Sequence, residues 1–402
     1  MTLGLAKKTS FHAIHDFLRL ASLAAALSLS ACSSIDDEEL GPAELLEFNA
    51  ERFFTKQWSE SIGDGQGKGY NRLRPAVDDT HIYIASNDGD VEALSLDEGD
   101  TLWDVSLDYR ISGAVSVVDG HVYIGTLAGE LLALDKSSGE LLWQSHLGGE
   151  ILAAAASDGE RVFVQTLDDQ LIALDVKTGE RVWNYRNTMP VLTLRGTSTP
   201  LYHRGLVAAG FSNGKVLGFD AENGSLRWEV RVSTSKGNSE IERIVDVDGD
   251  LLIEDGTLYA VGYQGTLTAI EMARGKRLWA REASSYVGMG YGFNNVYVSG
   301  FDGSLIAFAD TGQGVRWEQT VLARRKLTDP ITLGNYVIVG DAEGYLHAMS
   351  QLDGHIAARI KVDSDGLQTS MQVHNDTLYV FSNDGSLSAY TLLEKPRGLF
   401  SF

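Results

Sequence analysis

The chain has 402 residues, is 44% apolar, and carries 33 Lys and Arg against 55 Asp and Glu. The apolar share excludes wholesale disorder, and a formal charge of −22 excludes binding to nucleic-acid phosphates or to an anionic membrane by charge, since both need a basic face. A single cysteine leaves no internal disulfide and no Cys-rich zinc or iron–sulfur site, and 43 glycines against six prolines indicate many tight turns.

The stretch Met1–Leu20 carries Lys7, Lys8 and Arg19 and leads into an apolar, small-residue run, Leu20–Ala31. Twelve residues are too few to span a bilayer and fit the core of a secretory signal. The run ends in Leu29-Ser30-Ala31-Cys32, which resembles a bacterial lipobox, with the one cysteine at the position that lipidation requires. Residues 1–31 therefore read as a signal peptide and Cys32 as a lipidated mature N-terminus; Ser33 behind it favours the outer membrane. Such an anchor holds an otherwise soluble body at the membrane, here facing the periplasm. Losing residues 1–31 removes three basic residues and one acid and leaves a net charge of −24. Residues 32–46, with Asp36, Asp37, Glu38 and Glu39, read as a tether, with a short helix expected at Pro42–Asn49.

From Glu47 to Phe402 the chain reads as one repeat, eight times. All seven tryptophans, Trp58, Trp103, Trp143, Trp183, Trp228, Trp279 and Trp317, fall into one register. Each copy is a β-branched or aromatic run, a glycine turn, a second run, another glycine turn, then a strand bearing the tryptophan, which is a β-meander with period-2 alternation. First-turn glycines stand at 89, 129, 214, 265, 303, 344 and 385, with Asp169 in the third slot; the spacings are 40, 40, 45, 51, 38, 41 and 41. Second-turn glycines follow at 99, 139, 179, 224, 275 and 354, while the sixth copy offers both Gly312 and Gly314. These positions call for positive φ. A period of about 40 residues with four strands is the signature of a propeller blade. The fold is therefore all-β: an eight-bladed β-propeller of four-stranded antiparallel blades. The last copy lacks a tryptophan strand and Phe53–Ser59 has one with no strands before it, so the N-terminal strand closes the last blade and leaves no free seam. The tryptophans are expected to pack between blades; the seventh copy has Ala358 instead and a weaker joint.

Motifs for chemistry fail on spacing. Gly63-Asp-Gly65-Gln-Gly67-Lys68-Gly69 lacks the phosphate-loop pattern and a following helix, and reads as a flexible turn into the first blade. Asp246-Val-Asp248-Gly-Asp250 begins like a calcium loop, but Leu251 and Thr257 stand where Gly and Glu are required. The nine histidines show no paired ligand spacing and no Gly-x-Ser-x-Gly occurs, so no catalytic residue, metal site or cofactor is assigned.

Two adjacent intervals are long. From tryptophan to the next first-turn position is 26 residues after Trp103 but 31 after Trp183 and 37 after Trp228. Both insertions lie in connections between blades, which emerge on one face of the ring. The first contains Met189-Pro-Val-Leu192-Thr-Leu194-Arg195-Gly196, and the second Ile241-Glu-Arg-Ile-Val-Asp246-Val-Asp248-Gly249. Long loops that depart from a repeat are where function tends to sit. An exposed leucine pair beside Arg195, next to an acidic loop, suits a protein-binding patch with an apolar centre and a polar rim. The competing arrangement packs Leu192 and Leu194 inward and pairs Arg195 with Asp246 or Asp248. A third reading is a propeller that binds sugar or peptidoglycan through aromatic side chains, with Tyr286, Tyr291 and Phe293 near a Gly-rich loop.

Two family resemblances follow. The motif Ala133-x-Asp135-x-x-Ser138-Gly139-x-x-x-Trp143 resembles the docking motif of pyrroloquinoline-quinone dehydrogenase propellers, which also have eight blades. That resemblance implies fold only: those enzymes use a vicinal disulfide and calcium, and Ser95, Glu271, Ala309 and Ser350 replace the motif aspartate here. Such a dehydrogenase is the alternative function. The lipobox, the acidic tether, the opening Trp58…Gly63-Asp-Gly65…Tyr70…Leu73-Arg-Pro-Ala76 and eight such blades together resemble the BamB family, outer-membrane lipoproteins of the β-barrel assembly machinery. This resemblance runs from Cys32 to the last blade. It implies a non-catalytic scaffold that aids insertion of β-barrel proteins, without a cofactor. Leu192, Leu194, Arg195, Asp246 and Asp248 would bind the periplasmic domains of the central barrel protein.

Overall fold

A computed structural model of the protein describes residues 40–395, except Tyr70, 235–238 and Glu240. The signal sequence, Cys32, the acidic part of the tether and residues 396–402 lie outside the described residues. Ala43–Phe402 forms one unit, separate from Met1–Pro42. Among the described residues, no helix is long and apolar enough to cross a membrane.

The eight sheets each have four antiparallel strands. Seven are built from consecutive strands, as in blade 3: Ala156–Ser157, Arg161–Thr166, Gln170–Asp175 and Arg181–Arg186. The eighth takes Gln372–His374, Thr377–Phe381 and Ser386–Glu394 from the C-terminal end and Arg52–Ser61 from the N-terminal end, paired from Arg52–Glu394 to Ser61–Ser386. The N-terminal strand thus closes the last blade, as the repeat arithmetic requires. Middle strands are apolar almost throughout because neighbouring blades cover both faces; Arg161–Thr166 is buried at five of six positions. Outer strands alternate between exposed and half-buried.

The tryptophans explain how blades join. Each indole N–H donates to a backbone carbonyl of the next blade: Trp58 to Leu96, Trp103 to Lys136, Trp143 to Val176, Trp183 to Ala221, Trp228 to Met272, Trp279 to Asp310 and Trp317 to Gln351, at 2.8–3.0 Å. The indole lies on the second-turn glycine of that blade. A Cβ at Gly99, Gly139, Gly179, Gly224, Gly275, Gly312 or Gly354 would come within 3.0 Å of the ring, and all seven have positive φ. Gly312, not Gly314, is therefore the sixth second-turn glycine. Opposite each tryptophan stands a small residue, Ala93 for Trp103 and Gly218 for Trp228, followed by a register shift that turns the ring toward its neighbour. Blade 7 has Ala358 because blade 8 has no second turn to receive an indole; its chain is broken there. The joint is made instead by Glu51, whose N–H donates to Ala357 O and whose carbonyl accepts from Lys395 N.

Four expectations change. No helix forms at Pro42–Asn49. Ala43–Leu46, assigned to the tether, lies on the propeller: Ala43 N donates to Ala323 O, Leu45 packs against the core cluster that includes Trp317 and Leu322, and Arg325 and Arg359 donate to the carbonyls of Ala43 and Leu46. The Gly63–Gly69 segment is a pinned turn, since Ile62 N and Asn87 N donate to Gly385 O and Gly65 O. In blade 5 the positive φ falls on Gln264, and Gly265 serves close packing against Ser233.

The joint yields a stability test. Trp228→Ala removes a buried ring and should cost about 3–5 kcal/mol. Gly275→Ala should destabilise the same joint by forcing a methyl against that ring. Urea unfolding monitored by far-ultraviolet circular dichroism measures both, and wild-type midpoints would show that the joint does not hold the ring.

Candidate docking site

Strand order fixes where the insertions lie. The chain runs across each sheet from first to fourth strand, so blade-to-blade links share a face with the first turns. The two insertions are the neighbouring links 187–200, after Arg181–Arg186, and 232–251, after Leu226–Arg231.

The first insertion has no regular secondary structure, and its tip is apolar and exposed. Val191 is 85% exposed, Leu192 44% and Met189 39%. Leu194 is half-buried and Arg195 exposed. Arg195 Nη2 donates to Glu150 Oε1 at 2.5 Å, from the link between blades 2 and 3, and so pairs with neither Asp246 nor Asp248.

The acidic loop is not at the surface. Asp246 is 1% exposed and Asp248 5%, in a segment whose valines also face the core: Val245 is 5% exposed and Val247 1%. Asp246 and Asp248 lie beneath the first insertion. Asp246 Oδ2 accepts from Leu194 N, while its Oδ1 is buried without a partner. The Asp248 carboxylate lies against Gly196, where a Cβ would come 2.8 Å from Oδ2. The sequence missed this because it shows charge and not depth. The calcium-like triplet also separates: among the described residues no group of three or more His, Cys, Asp or Glu is placed to hold a metal.

Beside Leu194 opens a cavity of about 640 Å³, lined also by Arg72, Arg195, Asp248, Tyr263, Tyr286, Phe301, Lys326 and Leu327. Phe301, 54% exposed, meets Tyr263 and Tyr286 edge-on at 5.2 and 6.2 Å. Sequence reasoning missed Tyr263 and Phe301, although both precede first-turn glycines of adjacent blades on this face. The proposed sugar trio is split: Tyr286 joins this cluster, Tyr291 packs on Tyr259, and Phe293 sits in the turn between the first two strands of blade 6, on the opposite face.

Below the cavity the axial channel is closed by Arg72 and Arg74, from the lead-in to blade 1. Arg72 donates to the carbonyls of Thr197, Asp248 and Tyr286 at 2.9–3.2 Å, one in each of three successive links. Arg74 pairs with Asp250 and donates to Thr199 Oγ1 at 3.3 Å. The space left is about 30 Å³, room for about one water. Burial would raise the Asp250 carboxyl, but Arg74 and Arg72 hold it below the usual range.

Without such a partner, burial prevails elsewhere. It pushes Asp246 up to about 7, against the pull of the Leu194 N–H. It pushes Asp248 up to about 8, with the Asp246 charge adding to it and Arg72 opposing it. A carboxyl with a raised folded pKa binds its proton more tightly when folded. The stability it adds is full below the unfolded value near 4 and is lost as pH climbs to the folded value. Melting temperature should therefore fall between pH 5 and 8, and Asp248→Asn should flatten that slope; equal slopes in the two proteins would contradict the assignment.

Comparison with known proteins places this geometry. A family model described as outer membrane protein assembly factor BamB matches residues 87–319 and 301–394. The outer membrane protein assembly factor BamB of Pseudomonas aeruginosa is 54% identical over 372 residues, 92% of this chain and 98% of that one. The Escherichia coli factor of the same name is 35% identical over 388 residues, 93% and 98%. The crystal structure of BamB from Moraxella catarrhalis superposes with a TM-score of 0.78 at 30% identity, covering 84% of this chain and 99% of that one. A quinohemoprotein alcohol dehydrogenase from Comamonas testosteroni reaches 0.68 at 13% identity, covering 84% and 76%, and shares the fold alone. A joint built on tryptophan and glycine, repeated round eight blades, and a match along nearly the whole chain give one conclusion: this protein belongs to the BamB family of outer membrane protein assembly factors.

Proposed function

We propose that the chain is a non-catalytic scaffold subunit of the outer-membrane β-barrel assembly machinery, lipidated at Cys32 and held on the outer membrane facing the periplasm. It docks through the 187–200 link, braced by Asp246 and Asp248, onto periplasmic domains of the central barrel protein. The observation that carries this is the exposed tip Met189, Val191 and Leu192 beside Arg195, on a loop that departs from the repeat and overhangs an aromatic cavity. An apolar centre with a charged rim is the pattern of a protein-binding patch. Leu192, Leu194 and Arg195 are the contact residues in this reading. Asp246 and Asp248, being buried, act through the loop above them. The names of the relatives support membership of the machinery. The channel supports a scaffold over a quinone enzyme, because Arg74 and Asp250 satisfy each other across it.

Leu194→Ala or Arg195→Ala should weaken the complex about tenfold or more while leaving the melting temperature near wild type. Co-purification of the central barrel protein at endogenous levels reads this, and normal recovery with both variants would refute the docking surface. Cys32→Ser should release the protein from the membrane fraction into the soluble periplasm; retention in the membrane fraction would argue against the anchor.

A further inference from the structure

Seven of the eight first turns carry glycine, and the third carries Asp169. The glycines have a steric purpose. At Gly89, Gly129, Gly214 and Gly344 a Cβ would come within 3.0 Å of a carbonyl oxygen or neighbouring backbone atom of the outgoing link. The link therefore hugs the turn, and Leu107, Leu147, Val232 and Val362 donate their N–H groups to those glycine carbonyls at 2.8–2.9 Å. Asp169 makes the same backbone bond, accepting from Asn187 N at 3.0 Å. It adopts the same left-handed conformation, with φ 62°, which carries a steric cost for a residue with a Cβ.

Its carboxylate accounts for that cost. It is 3% exposed and accepts from Ser212 Oγ at 2.5 Å, from Ser212 N at 3.3 Å and from Asn187 Nδ2 at 2.7 Å. Asn187 Oδ1 in turn accepts from Asn213 Nδ2 at 2.9 Å. Ser212 and Asn213 form the first turn of blade 4, and Asn187 is the first residue of the inserted link. One side chain thus ties the root of the insertion to the turns of both flanking blades. At its far end the link is fastened by Ser198 Oγ, which donates to Gln165 Oε1 at 3.2 Å and accepts from Gly210 N at 2.7 Å. Between these clamps the loop crosses the Asp246 carboxylate.

We propose that Asp169 is a positioning residue for protein docking: it clamps the root of the 187–200 link and so presents the Met189–Arg195 tip in a fixed place. This rests on the docking reading above. It explains why the repeat abandons its glycine at the one blade whose outgoing link carries the exposed tip.

Asp169→Gly restores the repeat, so a purely structural role predicts a fold at least as stable and a loop unchanged. The inference predicts a melting temperature near wild type, faster amide exchange through residues 188–194, and about tenfold weaker binding to the purified periplasmic domains of the barrel protein. Asn187→Ala opens the clamp from the loop side without touching the turn and should do the same. Wild-type exchange and binding in both variants, with Leu194→Ala still impaired, would overturn the inference and leave the docking surface standing. Normal binding by Leu194→Ala would overturn both.

Discussion

The ring depends on one contact, an indole laid on a glycine. Seven of the eight blades pass a tryptophan from the outermost strand to the second turn of the next, where only a glycine leaves room for the ring and only a positive φ turns the chain away from it. The indole N–H then finds a carbonyl in that same turn, so a large apolar surface and its one polar atom are satisfied together. Because the contact runs from blade to blade in one direction, it sets how each blade packs on the next, while the four-strand order leaves the links on one face. The missing eighth tryptophan follows from this logic. Where the chain begins and ends, blade 8 has no second turn, so Ala358 has nothing to receive it, and the incoming strand fills the gap.

Departures from the repeat are therefore informative. A position that abandons the pattern gives up a contact the ring uses elsewhere, and something local must stabilise it. Asp169 exchanges a glycine for three accepted hydrogen bonds. The insertions exchange strand pairing for side-chain bracing: the first rests on the Asp246 carboxylate and on Glu150 through Arg195. Buried carboxyls are costly when charged and much less so when protonated or hydrogen-bonded. The loop thus gains a definite shape from a buried carboxyl beneath it and an ion pair at its side.

The fold was legible because it is periodic. Eight first-turn sites, seven tryptophans and an orphan tryptophan strand at the start determine blade count and closure, and each is visible as a spacing. The inserted links were legible for the same reason, since an excess of residues in two links breaks a count. Depth was not. Asp246 and Asp248 look like an exposed acidic loop in a chain of charge −22; only the packing of Val245 and Val247 carries them inward. The Arg195 partner was also hidden, because Glu150 lies one blade earlier in the chain and its link has ordinary length. Tyr263 and Phe301 were unremarked because an aromatic residue before a turn glycine breaks no pattern.

Arg72 ties together the links on the face that carries the insertions. A single guanidinium reaches from the lead-in of blade 1 to carbonyls in three successive links on the far side of the channel. Those links are the two that carry the insertions and the one that carries Tyr286. A charged donor shared by three acceptors in a nearly closed channel holds them in mutual register, where separate surface loops would each move independently. A patch held in this way has less conformational freedom to lose on association, so more of the contact energy of an apolar tip appears as affinity. The same cation opposes the rise of the Asp248 carboxyl, so the brace beneath the loop interacts electrostatically with the side chain that spans the three links.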